Sequence, residues 1–337
     1  MSHPQRRVVV TQRFFDDEAI AYLQANKCEV EVVELPKGQA DTHLTNEQLT
    51  EMLRGAAGWI VGHANVSRAL LTGLPELQII SRRGVGYDRV DVGAVRDLGR
   101  ILTIAAGGND ASVADHTIGL MLAVARRLRE SQNQMLAGNW AILTSSDLYQ
   151  KTVGIVGLGR IGKSVVQRLK GFDTRILVHH PRPDEEYGKA NGITFVDGET
   201  LLRQSDYVTI HAPLTPQTRF LINKATLDIM KPSAILINTA RGGLVDDRDL
   251  LQGLKAGRIA GAGLDVYLSE NDPALKPISE ELIGLPNVIA TPHSAASSLE
   301  GLARTNMVAA QCVVAVFDGQ SPQQACIIED GRRAVVN

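Results

Sequence analysis

Cysteine is scarce in this chain of 337 residues: there are three, Cys28, Cys312 and Cys326, an odd number with neither metal-ligand nor redox spacing. That pattern excludes a disulfide scaffold and a zinc or Cys-x-x-Cys site, so reduced thiols in a cytoplasm are expected and no metal is called for. Clusters of Lys and Arg are also missing, and the formal net charge is only −2, so nucleic acid is not an expected partner. No apolar run approaches a bilayer span, so no membrane association is expected. The opening Met-Ser-His-Pro-Gln-Arg-Arg leads into a short strand without the apolar core of a signal peptide. Internal repeats and low-complexity tracts are absent. What remains, 44% apolar and 21% charged residues, fits a soluble two-domain enzyme.

The most informative stretch is Thr152-Val-Gly-Ile-Val-Gly-Leu-Gly-Arg-Ile-Gly162, where an apolar strand runs into Gly157, Gly159 and Gly162 in G-x-G-x-x-G spacing. Gly157 allows a tight strand-to-helix turn, Gly159 lets the backbone approach a pyrophosphate, and Gly162 lets the following helix pack close to the strand. The phosphates would rest on the N–H groups and positive dipole end of a helix beginning near Arg160. Ile161, Val165, Val166 and Leu169 recur at helical spacing, and a second strand follows at 175–179, the distance a βαβ unit requires.

The end of that second strand bears on the cofactor. A carboxylate is expected there, about twenty residues beyond the loop, to accept from the ribose hydroxyls of NAD. This chain has His179-His180-Pro-Arg182-Pro instead. Without the carboxylate nothing repels a 2′-phosphate, and His180 with Arg182 could donate to one. NADP is therefore expected in preference to NAD. The alternative is that both are solvated loop residues and NAD is held by backbone alone.

Strand-like stretches at 8–10, 30–33, 59–61, 79–81 and 101–104 alternate with helical patterns, which implies a parallel sheet covered by helices. A long amphipathic helix is expected from 112 to about 134, opened by a capping box at Ser112-x-x-Asp115 and bridging two domains. Strands at 152–156, 175–179, 194–196, 207–210, 234–238, 260–265 and 288–291 complete a second sheet, and a helix at 297–317 leads the chain back to the first domain. The expected fold class is α/β, with two doubly wound parallel-sheet domains. Residues 104–296 form a Rossmann cofactor domain, inserted into a flavodoxin-like substrate domain of residues 1–103 and 297–337. Ligands would then lie at the carboxyl ends of the strands, facing an interdomain cleft.

Three polar residues follow strands on that expected rim: Arg241 in Asn238-Thr-Ala-Arg-Gly242, Glu270 beyond Gly263-Leu-Asp-Val266, and His293 closing Thr291-Pro-His293. A cation, a carboxylate and an imidazole are what reversible hydride transfer at a 2-hydroxy acid needs. The imidazolium protonates the carbonyl oxygen, the carboxylate fixes the ring's tautomer, and the guanidinium holds the substrate carboxylate and polarises the carbonyl. Singly, each could be an ordinary turn or loop residue; it is their joint position that points to chemistry.

These segments, with Gly84-Val-Gly-Tyr-Asp88, Gly107-Gly-Asn-Asp-Ala-Ser-Val-Ala-Asp-His-Thr117 and His211-Ala-Pro-Leu-Thr215, resemble the D-isomer-specific 2-hydroxyacid dehydrogenase family over nearly the full length. That family includes glyoxylate and hydroxypyruvate reductases and phosphoglycerate dehydrogenases. The resemblance implies that Arg241, Glu270 and His293 carry the catalytic roles above. It implies cofactor contacts from Arg160, Ile161, His211, Ala212, Pro213, Thr218, Thr239, Ala240 and Asp265, the last to the nicotinamide carboxamide. It implies substrate contacts from Val85 and Gly86 through backbone N–H groups, with His63 as a further candidate or a plain loop residue. A homodimer built through the long helix and the arm Met135-Leu-Ala-Gly-Asn-Trp140 is also implied, with Trp140 on the partner or, alternatively, in the core.

Two departures stand out. Glu270 is followed by Asn271 and Asp272 where the family commonly has proline, which leaves the loop conformation open. Val61-Gly-His-Ala-Asn65 replaces the arginine and serine of relatives acting on phosphoglycerate, which disfavours a phosphorylated substrate. Arg82 and Arg83 precede the glycine loop and could face the pocket, with at least one of them expected at the surface. The expected activity is reduction of a small 2-keto acid, glyoxylate or hydroxypyruvate among them. The alternatives are an NAD-linked catabolic dehydrogenase and a dinucleotide-sensing scaffold.

Overall fold

A computed structural model describes residues 6–36 and 39–333. The chain divides into two compact units, Met1–Asn109 with Ala296–Asn337, and Asp110–Ala295. The sequence reading set these divides at 103/104 and 296/297.

Strands β1 (Arg7–Val10), β2 (Glu29–Val32), β3 (Gly58–Val61), β4 (Ile79–Arg82) and β5 (Ile101–Ile104) belong to the first unit. Strands β6 (Thr152–Val156), β7 (Arg175–His179), β8 (Ile193–Phe195), β9 (Tyr207–Ile210), β10 (Ile235–Asn238), β11 (Gly261–Leu264) and β12 (Val288–Ala290) belong to the second, and β13 (Ile327–Asp330) to the first again. All but β13 coincide, within a residue at either end, with stretches expected from the sequence.

In the first unit the order is β13-β5-β4-β3-β1-β2, parallel from β5 to β2, which is the flavodoxin-like winding. Its inner strands β1, β3, β4 and β5 are buried on both faces, so they read as continuous apolar runs whose alternate side chains serve two cores. Val9, Trp59, Ile80 and Leu102 face one core with Leu49, Leu53, Leu70 and Leu71. Val8, Val10, Ile60, Ile79 and Ile101 face the other, under the returning helix Leu299–Phe317 through Ala309, Ala310 and Val313. The edge strand β13 runs antiparallel to β5 with a register irregularity between Ile327 and Glu329. Too few of its residues alternate for a sequence signal.

The second unit is an all-parallel sheet in the order β12-β11-β10-β9-β6-β7-β8, a Rossmann winding extended by one strand. One face packs Val153, Ile155, Ile176, Val178 and Ile237 against Val165, Val166 and Leu169 of the helix Arg160–Leu169. The other packs Leu177, Val208, Ile210, Leu236 and Leu264 against Leu201, Leu250 and Leu254.

The long helix expected at 112–134 is two helices, Asp110–Ala125 and Leu128–Leu136, separated by Arg127 at φ +51°. That left-handed residue, tied to Glu130 and to the Thr144 carbonyl, ends the first helix and restarts the second. Ser112 is not an N-cap: it lies buried inside the helix, and Asp115 pairs with Arg168. Nor is the first segment amphipathic; only Asp115 and Gly119 are exposed along it. The segment lies wholly within the second unit.

Neither Arg82 nor Arg83 is exposed, whereas at least one was expected at the surface. Arg82 is buried. Arg83 is partly buried, and burial pushes its guanidinium down to about 10, with Asp41 opposing the shift. The Trp140 side chain is 76% exposed, so it does not belong to this chain's core. Cys28, Cys312 and Cys326 are buried and unbridged.

Candidate functional site

The glycine loop is built as close contacts demand. Gly157 lies at φ +96°, and a Cβ there would stand 2.6 Å from the His211 carbonyl oxygen. A Cβ on Gly162 would meet the Gly157 carbonyl oxygen at 2.4 Å. Gly159, which caps the helix Arg160–Leu169, faces open space with nothing within 4 Å of its Cβ position. Two glycines therefore close the turn and the third leaves room beside the free N–H groups of a helix N-terminus, the cradle an anionic pyrophosphate needs. Arg160 is exposed at the first helical position and Ile161 is partly buried.

At the end of β7 the His180 imidazole turns back onto this loop, and its Nδ1 accepts from the Leu158 N–H at 3.2 Å. That bond assigns the proton of the neutral ring to Nε2, which leaves a donor where other dinucleotide loops present a carboxylate. Burial and then Arg182, His179 and Lys163 lower the His180 pKa. Arg182 is exposed. The Lys163 ammonium is held by Asp184 at 2.9 Å and lies 4.3 Å from the Tyr187 ring centre.

Past β9, the His211 N–H donates to the Val156 carbonyl at 2.7 Å and its Nε2 meets the Thr209 hydroxyl at 2.9 Å. Part of its surface is open, yet surrounding protein desolvates the imidazole enough to push it down to about 4. Ala212 is partly buried and Pro213 exposed. Thr218 closes the following turn, its hydroxyl donating to the Pro213 carbonyl at 2.6 Å and accepting from the Thr215 N–H at 2.8 Å. Thr239 is buried and bonded to Thr117, and the Ala240 N–H donates to the Asn238 side chain.

The three residues of the expected proton-transfer set follow β10, β11 and β12. Arg241 is partly buried, with Nη1 donating to the Ala240 carbonyl at 2.7 Å and its own carbonyl accepting from Asn238. Glu270 ends a short turn, Leu268–Glu270, and reaches back so that Oε1 accepts from the Tyr267 N–H at 2.8 Å. Its Oε2 lies 2.6 Å from His293 Nδ1. Where the family has proline, Asp272 caps the next turn by accepting from the Ala274 N–H. His293 sits at φ +53°, a left-handed conformation in which histidine is tolerated but uncommon. Its N–H, donating to the Asp265 carbonyl at 2.8 Å, holds it there.

Asp265, the expected carboxamide contact, is turned inward. It has no exposed surface, and its carboxylate accepts from the Thr291 hydroxyl at 2.5 Å, the Ser294 N–H at 2.8 Å and the Ala295 N–H at 2.9 Å. In this conformation it ties the loop that carries His293, and no surface of it is open to a carboxamide. His116 extends the tie, with Nε2 at 2.9 Å from the Thr291 hydroxyl.

In the first unit His63 is partly buried, its N–H donating to Asp41 Oδ1 at 2.8 Å, while Oδ2 accepts from the Gly62 N–H at 2.7 Å. Val85 and Gly86 are partly buried in the loop after Gly84, which lies at φ +147°. Asp41, His116, Asp247 and Thr291 were not singled out from the sequence. Each acts across more than 20 residues of chain, and no local spacing marks such a partner.

Residues 118–295 match the family described as D-isomer specific 2-hydroxyacid dehydrogenase, NAD binding domain. A D-3-phosphoglycerate dehydrogenase of Methanocaldococcus jannaschii is 36% identical over 93% of this chain, and the chain spans only 58% of that relative's length. A glyoxylate reductase of Korarchaeum cryptofilum is 39% identical over 74% of this chain and 75% of its own. The solved structure of the TT0316 protein from Thermus thermophilus superposes with a TM-score of 0.83 at 34% identity, covering 96% of this chain and 99% of that one.

Proposed function

The chain belongs to the D-isomer specific 2-hydroxyacid dehydrogenase family, and from that premise we propose that it reduces a small 2-keto acid, glyoxylate or hydroxypyruvate among the candidates, with a nicotinamide cofactor. The observation that carries the reading is the 2.6 Å contact between His293 Nδ1 and Glu270 Oε2 at adjoining strand ends. With Nδ1 engaged by the carboxylate, Nε2 is the nitrogen left to hand a proton to the substrate's carbonyl oxygen and, in the reverse direction, to take it from the hydroxyl. The bound reduced nicotinamide supplies the hydride to the carbonyl carbon. The Arg241 guanidinium pairs with the substrate carboxylate and polarises the carbonyl. His63, Val85 and Gly86 are proposed further substrate contacts. Arg160, Ile161, His211, Ala212, Pro213, Thr218, Thr239 and Ala240 are proposed to line the cofactor, while Asp265 acts on it through the loop it holds.

For the cofactor, NADP is the preferred reading. A ribose hydroxyl donates to a carboxylate, whereas a 2′-phosphate accepts, and the Nε2–H of His180 with the Arg182 guanidinium offers donors only. NAD is the second reading, favoured by Asp184, which takes up the Lys163 charge beside His180. The exposed apolar side chains Leu128, Met135, Leu136, Trp140 and Ile142 support a second copy of the chain as partner. Among the described residues no helix is long and apolar enough to cross a membrane.

Reduction rates with glyoxylate, hydroxypyruvate, pyruvate and longer 2-keto acids, each with NADPH and NADH, test the reading. Turnover with NADPH favoured is expected, and His180→Asp should move the preference towards NADH. No turnover with any pairing overturns the activity, and a preference for NADH unmoved by His180→Asp overturns the cofactor assignment.

A further inference from the structure

Asp247 opens the helix Asp247–Lys255, yet the helix does not need it as a cap: the preceding Asp246 accepts from the Arg248 and Asp249 N–H groups. Asp247 is nonetheless buried, and its Oδ2 accepts from the Leu268 N–H at 3.0 Å, across 21 residues of chain. The groups facing it are two further acids, Asp246 and Glu270, and the Ser279 hydroxyl of the helix Lys276–Gly284. Among the described residues no cation compensates it, and burial pushes its carboxyl up to about 6. A carboxyl kept in such surroundings is unfavourable unless the hydrogen bond it accepts does something an apolar residue could not.

The structure assigns that bond a purpose: Asp247 is a positioning residue that fixes the Leu268–Glu270 turn and thereby keeps the Glu270 carboxylate on His293. The turn is gripped from three directions. Asp247 takes the Leu268 N–H. The Tyr267 hydroxyl donates to the Leu264 and Thr291 carbonyls. Gly242 allows the segment after Arg241 to lie against the Tyr267 carbonyl, where a Cβ would come within 2.3 Å. From this turn the Glu270 side chain folds back to Tyr267 N–H with one oxygen and to His293 with the other. One segment of seven residues, Arg241 to Asp247, thus bears the substrate cation at one end and the clamp on the proton-transfer pair at the other. Without an acceptor for the buried Leu268 N–H the turn must move, and the carboxylate moves with it.

The inference rests on the reading of His293 as proton donor, and the test separates the two. Nitrogen-15 spectra of the histidine side chains and steady-state rates with a 2-keto acid are measured on the full chain for wild type, Asp247→Ala, Asp247→Asn and His293→Ala. Asp247→Ala is expected to lower kcat roughly 10- to 100-fold, the usual consequence of losing a group that orients a functional residue, with the cofactor KM unchanged. In the same protein the His293 resonances should change from one tautomer to a mixture. Asp247→Asn, which keeps an oxygen acceptor, restores both. If Asp247→Ala does not fold, Asp247→Val, close in size and without an acceptor, carries the same expectation. Unchanged His293 resonances in the variant lacking an acceptor, or equal losses of kcat with and without one, overturn the inference. Wild-type turnover by His293→Ala overturns the proposed function instead.

Discussion

On the β6–β7 side of the second unit, the atoms that would meet a pyrophosphate are backbone N–H groups, presented where Gly157 and Gly162 leave no room for a Cβ and Gly159 keeps the approach open. On the β10–β12 side the working atoms belong to side chains, and hydrogen bonds spanning 21 to 30 residues hold them: Asp247 to Leu268, Glu270 to His293, Asp265 to Thr291 and Ala295. Binding a constant group such as a pyrophosphate can be left to main chain, which any compatible sequence supplies. Proton transfer needs particular side chains at fixed separations, so buried acids are recruited to orient them.

If this division is right, the two sides should fail differently. Arg241→Ala should lower kcat/KM for the keto acid by roughly 10²- to 10³-fold, the scale of losing one charge-stabilising donor, while cofactor affinity measured by nucleotide fluorescence stays put. A parallel loss of cofactor affinity would blur the comparison. On the other side, Gly162→Ala should destabilise the fold by about 1–3 kcal/mol through overpacking, seen as a lower Tm, because its Cβ would press on the Gly157 carbonyl. Gly159→Ala should leave Tm where it is and weaken cofactor binding alone. Equal Tm losses in both would show that the open space at Gly159 is not a binding space.

The smallest expected effect concerns pH. Burial raises the Asp247 carboxyl to about 6 in the folded chain, against 3.8 for an ordinary aspartate, so the unfolded chain gives up this proton first as pH rises. Between about pH 4 and 6 the wild type loses stability that Asp247→Asn retains, and above that window the difference is constant. Urea unfolding across the range would show the Asn variant gaining on the wild type, and parallel curves would remove the buried charge from the account.

Much of the fold was legible because its inner strands are buried on both faces and bounded by turn residues, so runs such as 152–156 and 234–238 could be read locally. The glycine loop was legible for the same reason, its three roles lying within six residues. Arg241, Glu270 and His293 were singled out by position after strands, a topological clue. What stayed hidden was long-range or conformational. Arg127 breaks a helix through a left-handed backbone that arginine does not advertise. Strand β13 exists only by pairing with β5, more than 200 residues earlier. The resemblance implied a cofactor contact for Asp265, whereas its inward turn towards Thr291, Ser294 and Ala295 depends on a loop 26 to 30 residues away.

The central claim is that His293, oriented by Glu270, delivers the proton. The most direct measurement is single-turnover reduction of the best 2-keto acid by His293→Ala with cofactor bound beforehand and its occupancy verified. The account predicts a loss of roughly 10²- to 10⁴-fold in that step, the contribution of a positioned acid, with cofactor occupancy unchanged. Reduction at the wild-type rate would contradict it.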